Sequence, residues 1–402
     1  MADRSELLKQ PVELTFYRPN NGTTNEQFMD LMGSAIQTKF PNVTVKFIPW
    51  VTGSKFEDVL SSGQDLDIVL LSIGYVPQFS KFGLGYDLND LIKQNNFDLS
   101  HLENTSVDFI KKFGSGAIYA LPIFTTAEVL AYNKDIFDKF GVPYPKDGMT
   151  WDELYDLSKK LTRADGGVQY YVFMASMSHM LRVNQLSLPF VDPASGKPNI
   201  DTEEFRNLAN NFSRFYSVNG VMPPKEKYNK EGDMFTKDRN LAMYAYFNSV
   251  AITAPSDMNL DMVTLPSFKE FAGVGSQMYP TYAGISSTSK HKEMAFEVLK
   301  YLTTDEMQTK FAKDGAGLPV VKNAKLIEAY GQDLPQLKGK NKQAGYPLKP
   351  AAITTKSLYD DLVEKQALNA FKDVIQGNAD IITASRKASE QAVKDLEAAK
   401  SK

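Results

Sequence analysis

The feature that most constrains this chain is the alternation of strand and helix signals over its first seventy residues. Val12, Leu14 and Phe16 alternate with Glu13, Thr15 and Tyr17, the period-two pattern of a strand. After the turn-rich stretch RPNNGTTN, the residues Phe28, Leu31, Met32, Ala35 and Ile36 recur at helical spacing. Val43, Val45 and Phe47 make a second strand, ended by Pro49, and KFEDVLSS reads as a short helix. DIVLL, from Asp67 to Leu71, is a continuous apolar run of the kind found in a strand covered on both faces. Strand, helix, strand, helix, strand is the order of a parallel sheet with right-handed crossovers. Ligands of such open sheets sit beyond the carboxyl ends of the strands. Here those ends are Tyr17-Arg18-Pro19-Asn20-Asn21, Pro49-Trp50-Val51 and Ser72-Ile73-Gly74-Tyr75, all polar or aromatic.

The rest of the chain is read more coarsely. At 402 residues it is too long for one ordinary compact unit, so two lobes are expected. The middle reads as mostly helical. Thr150-Trp151-Asp152-Glu153 is a capping box that opens a helix with Trp151, Leu154, Leu157 and Leu161 on one face, and Asp201 to Glu204 is a second such start. Asn240 to Phe247 and DMVTLP from Asp261 are strand candidates. Met294, Ala295, Val298, Leu299 and Leu302 define an amphipathic helix, and Ala367 to Lys402 reads as two helices broken at Gly377.

Composition and motifs exclude several classes of chemistry. A formal net charge of −3 gives no electrostatic footprint for nucleic acid. No run approaches the ~18 apolar residues of a membrane span. Cysteine is absent, which removes disulfides and thiolate chemistry. No phosphate-loop, dinucleotide or nucleophile-elbow motif is present. His101, His179 and His291 lack a second ligand at metal spacing, so neither metal nor cofactor is expected. Glu128, set among apolar neighbours, is the one acid whose surroundings predict a raised pKa. Paired carboxylates acting on a glycan are the alternative reading, since 48 acidic residues bring some pairs together.

What the chain does carry is a set of aromatic and polar clusters suited to a neutral polyol, whose flat C–H faces match rings and whose hydroxyls match Asn, Arg and Thr. These are Arg18 with Asn20 and Asn21; Trp50; Tyr75; Phe124 with Thr125 and Thr126; Tyr246-Phe247-Asn248; and Tyr279-Pro280-Thr281-Tyr282.

One ordered series of motifs is more specific. Ile118-Tyr119-Ala120-Leu121-Pro122 is followed by Tyr132-Asn133-Lys134-Asp135-Ile136-Phe137, Gly141-Val142-Pro143, Pro145 and Thr150-Trp151-Asp152-Glu153-Leu154. In order and spacing it resembles the signature of the extracellular solute-binding proteins of carbohydrate ABC importers, the maltodextrin-binding-like group. The resemblance implies an α/β, two-lobed periplasmic-binding-protein-like fold closing on its ligand without chemistry. It places lobe 1 at 11–123 plus 285–318 and lobe 2 at 126–278 plus 324–402, with hinge segments near 122–127, 279–285 and 317–325. Phe124, Thr125 and Thr126 then face a ligand cleft, as do Gly74-Tyr75 and Phe247-Asn248. Tyr279 and Tyr282 stand where relatives are usually glycine-rich. The implied partners are a sugar or oligosaccharide and the permease subunits of an ABC importer, with the protein a monomer outside the cell. MADRSELLKQ lacks the pattern of an export signal, and the resemblance implies a signal and a lipid-bearing cysteine removed ahead of it.

Overall fold

The computed structural model describes residue 6 and residues 8–19, 22–50, 56–346 and 349–401. Its strands are, in chain order, β1 (Val12–Tyr17), β2 (Val43–Ile48), β3 (Ile68–Ser72), β4 (Ala120–Phe124), β5 (Glu128–Asn133), β6 (Arg163–Asp165), β7 (Val168–Ala175), β8 (Leu241–Phe247), β9 (Leu260–Thr264), β10 (Val274–Gln277), β11 (Thr281–Ile285) and β12 (Lys349–Ala351). The chain divides into two compact units, Met1–Thr125 with Tyr279–Tyr330 and Thr126–Met278 with Gly331–Lys402.

Unit 1 is built on a sheet of order β2-β1-β3-β11-β4. Its first three strands are parallel, with Val12 opposite Val43 and Phe16 opposite Ile68, as the opening alternation predicts. β11 then runs antiparallel to both β3 and β4. The strand following Asp67 begins with a purpose visible in its hydrogen bonds. The buried Asp67 carboxylate accepts from the Thr15 backbone N–H at 2.9 Å and from the Ser289 hydroxyl, so it ties β1 to the chain returning beyond β11. A buried acid is tolerated where such donors satisfy it. Pro122 sits within β4, the last strand of the order, where a missing N–H breaks no second ladder. The predicted helix after β1 spans Asn25–Phe28, a π-turn at Met29–Gly33 and Ser34–Lys39. It opens on a Thr24–Gln27 capping box, and Phe28 stacks on Phe47 at 4.3 Å.

Unit 2 holds a sheet of order β6-β7-β8-β5-β9 and the pair β10-β12. The expectation of a mostly helical middle is therefore corrected: strands run through it. β5 is an interior strand, antiparallel to β8 and β9, and all six of its residues are buried. β7 escapes the sequence reading because its apolar half, Val172 to Ala175, is covered on both faces and shows no alternation. The Thr150–Glu153 capping box is present, and Trp151 lies edge-on to Phe173, Phe212 and Phe215. Its indole N–H donates to Gln185 Oε1 at 2.9 Å. The start at Asp201–Glu204 is a simple cap by Thr202. The two tail helices, Asp360–Ile375 and Ile381–Lys400, pack on one another and on Glu203–Ser213, with Gly377 between them at φ +69°.

The chain passes from one unit to the other at Thr125–Thr126, Met278–Tyr279 and Tyr330–Gly331. The 317–325 stretch lies inside unit 1. There Leu318 exchanges two backbone hydrogen bonds with Thr125, and the helix Ala324–Ala329 packs on Asp305–Lys313.

Candidate functional site

Strand direction in unit 1 gathers most of the predicted residues at one sheet edge. β1, β2 and β3 are parallel, so Arg18, Trp50 and Gly74-Tyr75 all follow the same edge. β11 starts there, because Thr281 is opposite both Ser72 and Phe124, and this brings Tyr279 and Phe124-Thr125 to the same place. Arg18, Trp50, Tyr75 and Tyr279 are half-buried and Gly74 is exposed. The Arg18 guanidinium donates from Nη1 to Thr23 Oγ1 at 2.9 Å, while its Nε is buried with no acceptor among the described residues. Burial lowers the pKa of this guanidinium and the nearby Tyr279 phenol opposes that shift. Beneath it the Tyr17 hydroxyl is pushed up, chiefly by burial and then by Tyr75, Glu57 and Asp58.

Phe124 is fixed from three sides. Gln308, fully buried, donates to the carbonyls of Ile123 and Leu302 at 2.7 Å each and accepts from Val320 N–H at 2.9 Å. Phe311 meets the Phe124 ring edge-on at 5.4 Å. Gly317 leaves the remaining room: a Cβ there would stand 2.8 Å from the ring and 3.0 Å from the Thr125 carbonyl.

Unit 2 presents a second edge. Glu128 is opposite Phe247, so the start of β5 and the end of β8 coincide, and Thr126 and Asn248 flank them. Asn248 N–H donates to the Ala127 carbonyl at 3.0 Å. Parallel pairing of β7 with β8 adds Ser176 and His179, which the sequence reading does not single out as binding residues. The His179 ring lies 4.8 Å from Phe247 and 5.3 Å from Tyr246, with Nδ1 2.7 Å from Ser176 Oγ. Burial, then Arg182, pushes the His179 pKa down to about 4, so the imidazole is neutral. Recognising 168–175 as a strand would have been the signal for it.

The remaining predicted residues divide by burial. Thr126 is half-buried, whereas Phe124, Thr125, Phe247 and Asn248 are buried. Tyr282 is fully buried: its hydroxyl donates to the Ser106 carbonyl at 2.8 Å and its ring packs on Phe109. It has no surface left to present. Asn20 and Asn21 lie outside the described residues.

Chemically, the two edges offer rings, one guanidinium, hydroxyls and an amide. Among the described residues no cluster of three His, Cys, Asp or Glu could hold a metal ion, and no helix is long and apolar enough to cross a membrane. Surfaces of this make-up suit stacking and hydrogen bonding to a neutral polar ligand.

Comparison with known proteins gives the following. The profile of the family described as "Bacterial extracellular solute-binding protein" matches residues 21–309. A curated sequence of Brucella abortus, named as a binding protein, is 24% identical over 336 residues, 75% of each chain. Among solved structures, a sugar transporter from Rhizobium etli in an open conformation is similar with a TM-score of 0.78 at 19% identity, over 95% of this chain and 99% of that one. An ABC substrate-binding protein from Listeria monocytogenes in complex with cycloalternan gives 0.76 at 18% identity, over 96% and 99%. At these identities the structures establish the shared two-lobed α/β fold.

Proposed function

We propose, from the premise that this chain belongs to the bacterial extracellular solute-binding proteins, that it captures a carbohydrate outside the cell and hands it unaltered to an ABC importer. The observation that carries this reading is the set of half-buried groups at the carboxyl edge of the unit 1 sheet. There two tyrosines and a tryptophan supply faces for sugar C–H surfaces, and Arg18 keeps a buried donor without an acceptor among the described residues. A sugar hydroxyl would satisfy that donor, which otherwise costs about 1–3 kcal/mol. Stacking on each ring contributes about 1 kcal/mol, so two or three such contacts with hydrogen bonds reach micromolar affinity. The cycloalternan held by the Listeria relative and the sugar-transport role of the Rhizobium relative support a saccharide as cargo. In this reading the protein acts as a monomer, leaves its cargo chemically unaltered and is held at the membrane by a lipid.

Thermal-shift screening against mono- and oligosaccharides tests the reading. A cognate sugar raises the melting temperature with concentration in the manner of a ligand bound only by the folded state. Failure of every saccharide, or release of new reducing ends in stoichiometric incubation, would overturn it.

A further inference from the structure

A cavity of about 330 Å³ lies wholly within unit 2, and its lining includes Glu128, Asp147, Thr264, Ser267, Gly275 and Asn341. Alternation along β5 puts the Glu128 side chain on the sheet face shared by Leu130 and Tyr132. Asp147 lines the same cavity. Glu128 is 3% exposed, yet among the described residues neither carboxyl oxygen has a hydrogen-bond partner; its backbone N–H donates to Ser276 Oγ at 3.0 Å. The Ser267 hydroxyl, on a residue also 3% exposed, likewise has no partner among the described residues. Asp147, by contrast, is fully employed, accepting from Thr264 N–H and Asn341 Nδ2 at 2.8 Å each.

Among the described residues the lining thus holds two acids and no Lys, Arg or His. An ionised carboxyl buried without donor or counter-charge is among the costliest arrangements a core can contain. Without a cation in the cavity, burial therefore pushes the Glu128 pKa well up and the group keeps its proton, which an entering cation would release to solvent and replace. The missing complement is a compact group with several N–H donors and a positive charge. A hydroxyl compound would bring donors without charge. A divalent metal would need more oxygen ligands than are clustered among the described residues.

We propose that this cavity binds a small primary ammonium ion, whose N–H groups donate to the Glu128 carboxylate and the Ser267 hydroxyl. Glu128 stands opposite Phe247 at the unit 2 edge, but this proposal does not rest on saccharide binding. Ethylammonium chloride, titrated calorimetrically into the whole protein, is the test, with tetramethylammonium chloride as a cation lacking N–H donors and glycerol as a neutral donor. The expected result is saturable binding of ethylammonium alone, weakened roughly tenfold or more by Glu128→Gln, the scale of a lost charge-assisted hydrogen bond. Ser267→Ala is expected to weaken it by a smaller factor, and it carries the test if Glu128→Gln does not fold. Absence of saturable ethylammonium binding, an equal response to tetramethylammonium, preference for glycerol, or unchanged affinity in the folded variants would overturn the proposal. Because the amine is read alone, failure of the sugar screen leaves this result intact.

Discussion

Tyr75 and Tyr282 lie near the same sheet edge, yet they differ in what their side chains can reach. Tyr75 is half-buried beyond β3, whereas the Tyr282 hydroxyl is spent on Ser106 inside the core. Tyr75→Ala is therefore expected to weaken the best saccharide by about 1 kcal/mol, roughly fivefold in Kd, with little change in denaturation midpoint. Tyr282→Phe should do the reverse, lowering stability by about 1 kcal/mol through the lost hydrogen bond and leaving Kd unchanged. Isothermal titration and urea unfolding of both variants check the pair. His179 gives a pH signature. In the unfolded chain it protonates near pH 6.5 and in the fold only near 4, so its contribution is complete above pH 6.5. As the pH falls from 6.5 towards 4 that contribution is lost, on the order of 3 kcal/mol. His179→Gln should flatten this part of the stability–pH curve, measured by denaturant midpoints at intervals across it.

The run from β4 to β5 shows how position within a sheet sets what an element tolerates. β4 ends its sheet and accommodates Pro122, whereas β5 is hydrogen-bonded on both sides. Leu130→Pro is accordingly expected to cost 3 kcal/mol or more and to remove native near-ultraviolet circular dichroism from the purified protein. Much of unit 1 was legible from sequence, because three parallel strands linked by helices leave a local record: alternation in β1, turn residues after it, and an unbroken apolar run in β3. The gathering of the candidate residues at their ends follows from strand direction alone. Unit 2 is less legible: Asn240–Phe247 and the run from Asp261 do read as strands and form β8 and β9, but β7 shows no period, and β7, β8, β5 and β9 pair between distant segments. The burial of Tyr282 and the arrival of His179 beside Phe247 arise from the same cause. Side-chain surroundings fixed by long-range packing leave no mark on neighbouring residues.

On the scale of the whole molecule, neither unit is a continuous piece of chain. The tail helices belong to unit 2, where Ala392 is fully buried. Ala392→Asp places an unpaired charge there and should cost several kcal/mol. Hydrogen exchange is expected to show faster opening in residues 126–278 and 331–401, with protection in unit 1 retained; equal loss in both would mean the two open as one. The insertion of β11 between β3 and β4 bears on the order of assembly. During synthesis β4 emerges long before Thr281–Ile285, and it has no other strand to join in its sheet. The growing polypeptide thus carries a gap in its first sheet while all of 126–278 is being added. Final closure of that gap is a late, long-range event, slow by its topology, and the nascent protein stays incompletely folded until most of it has left the ribosome.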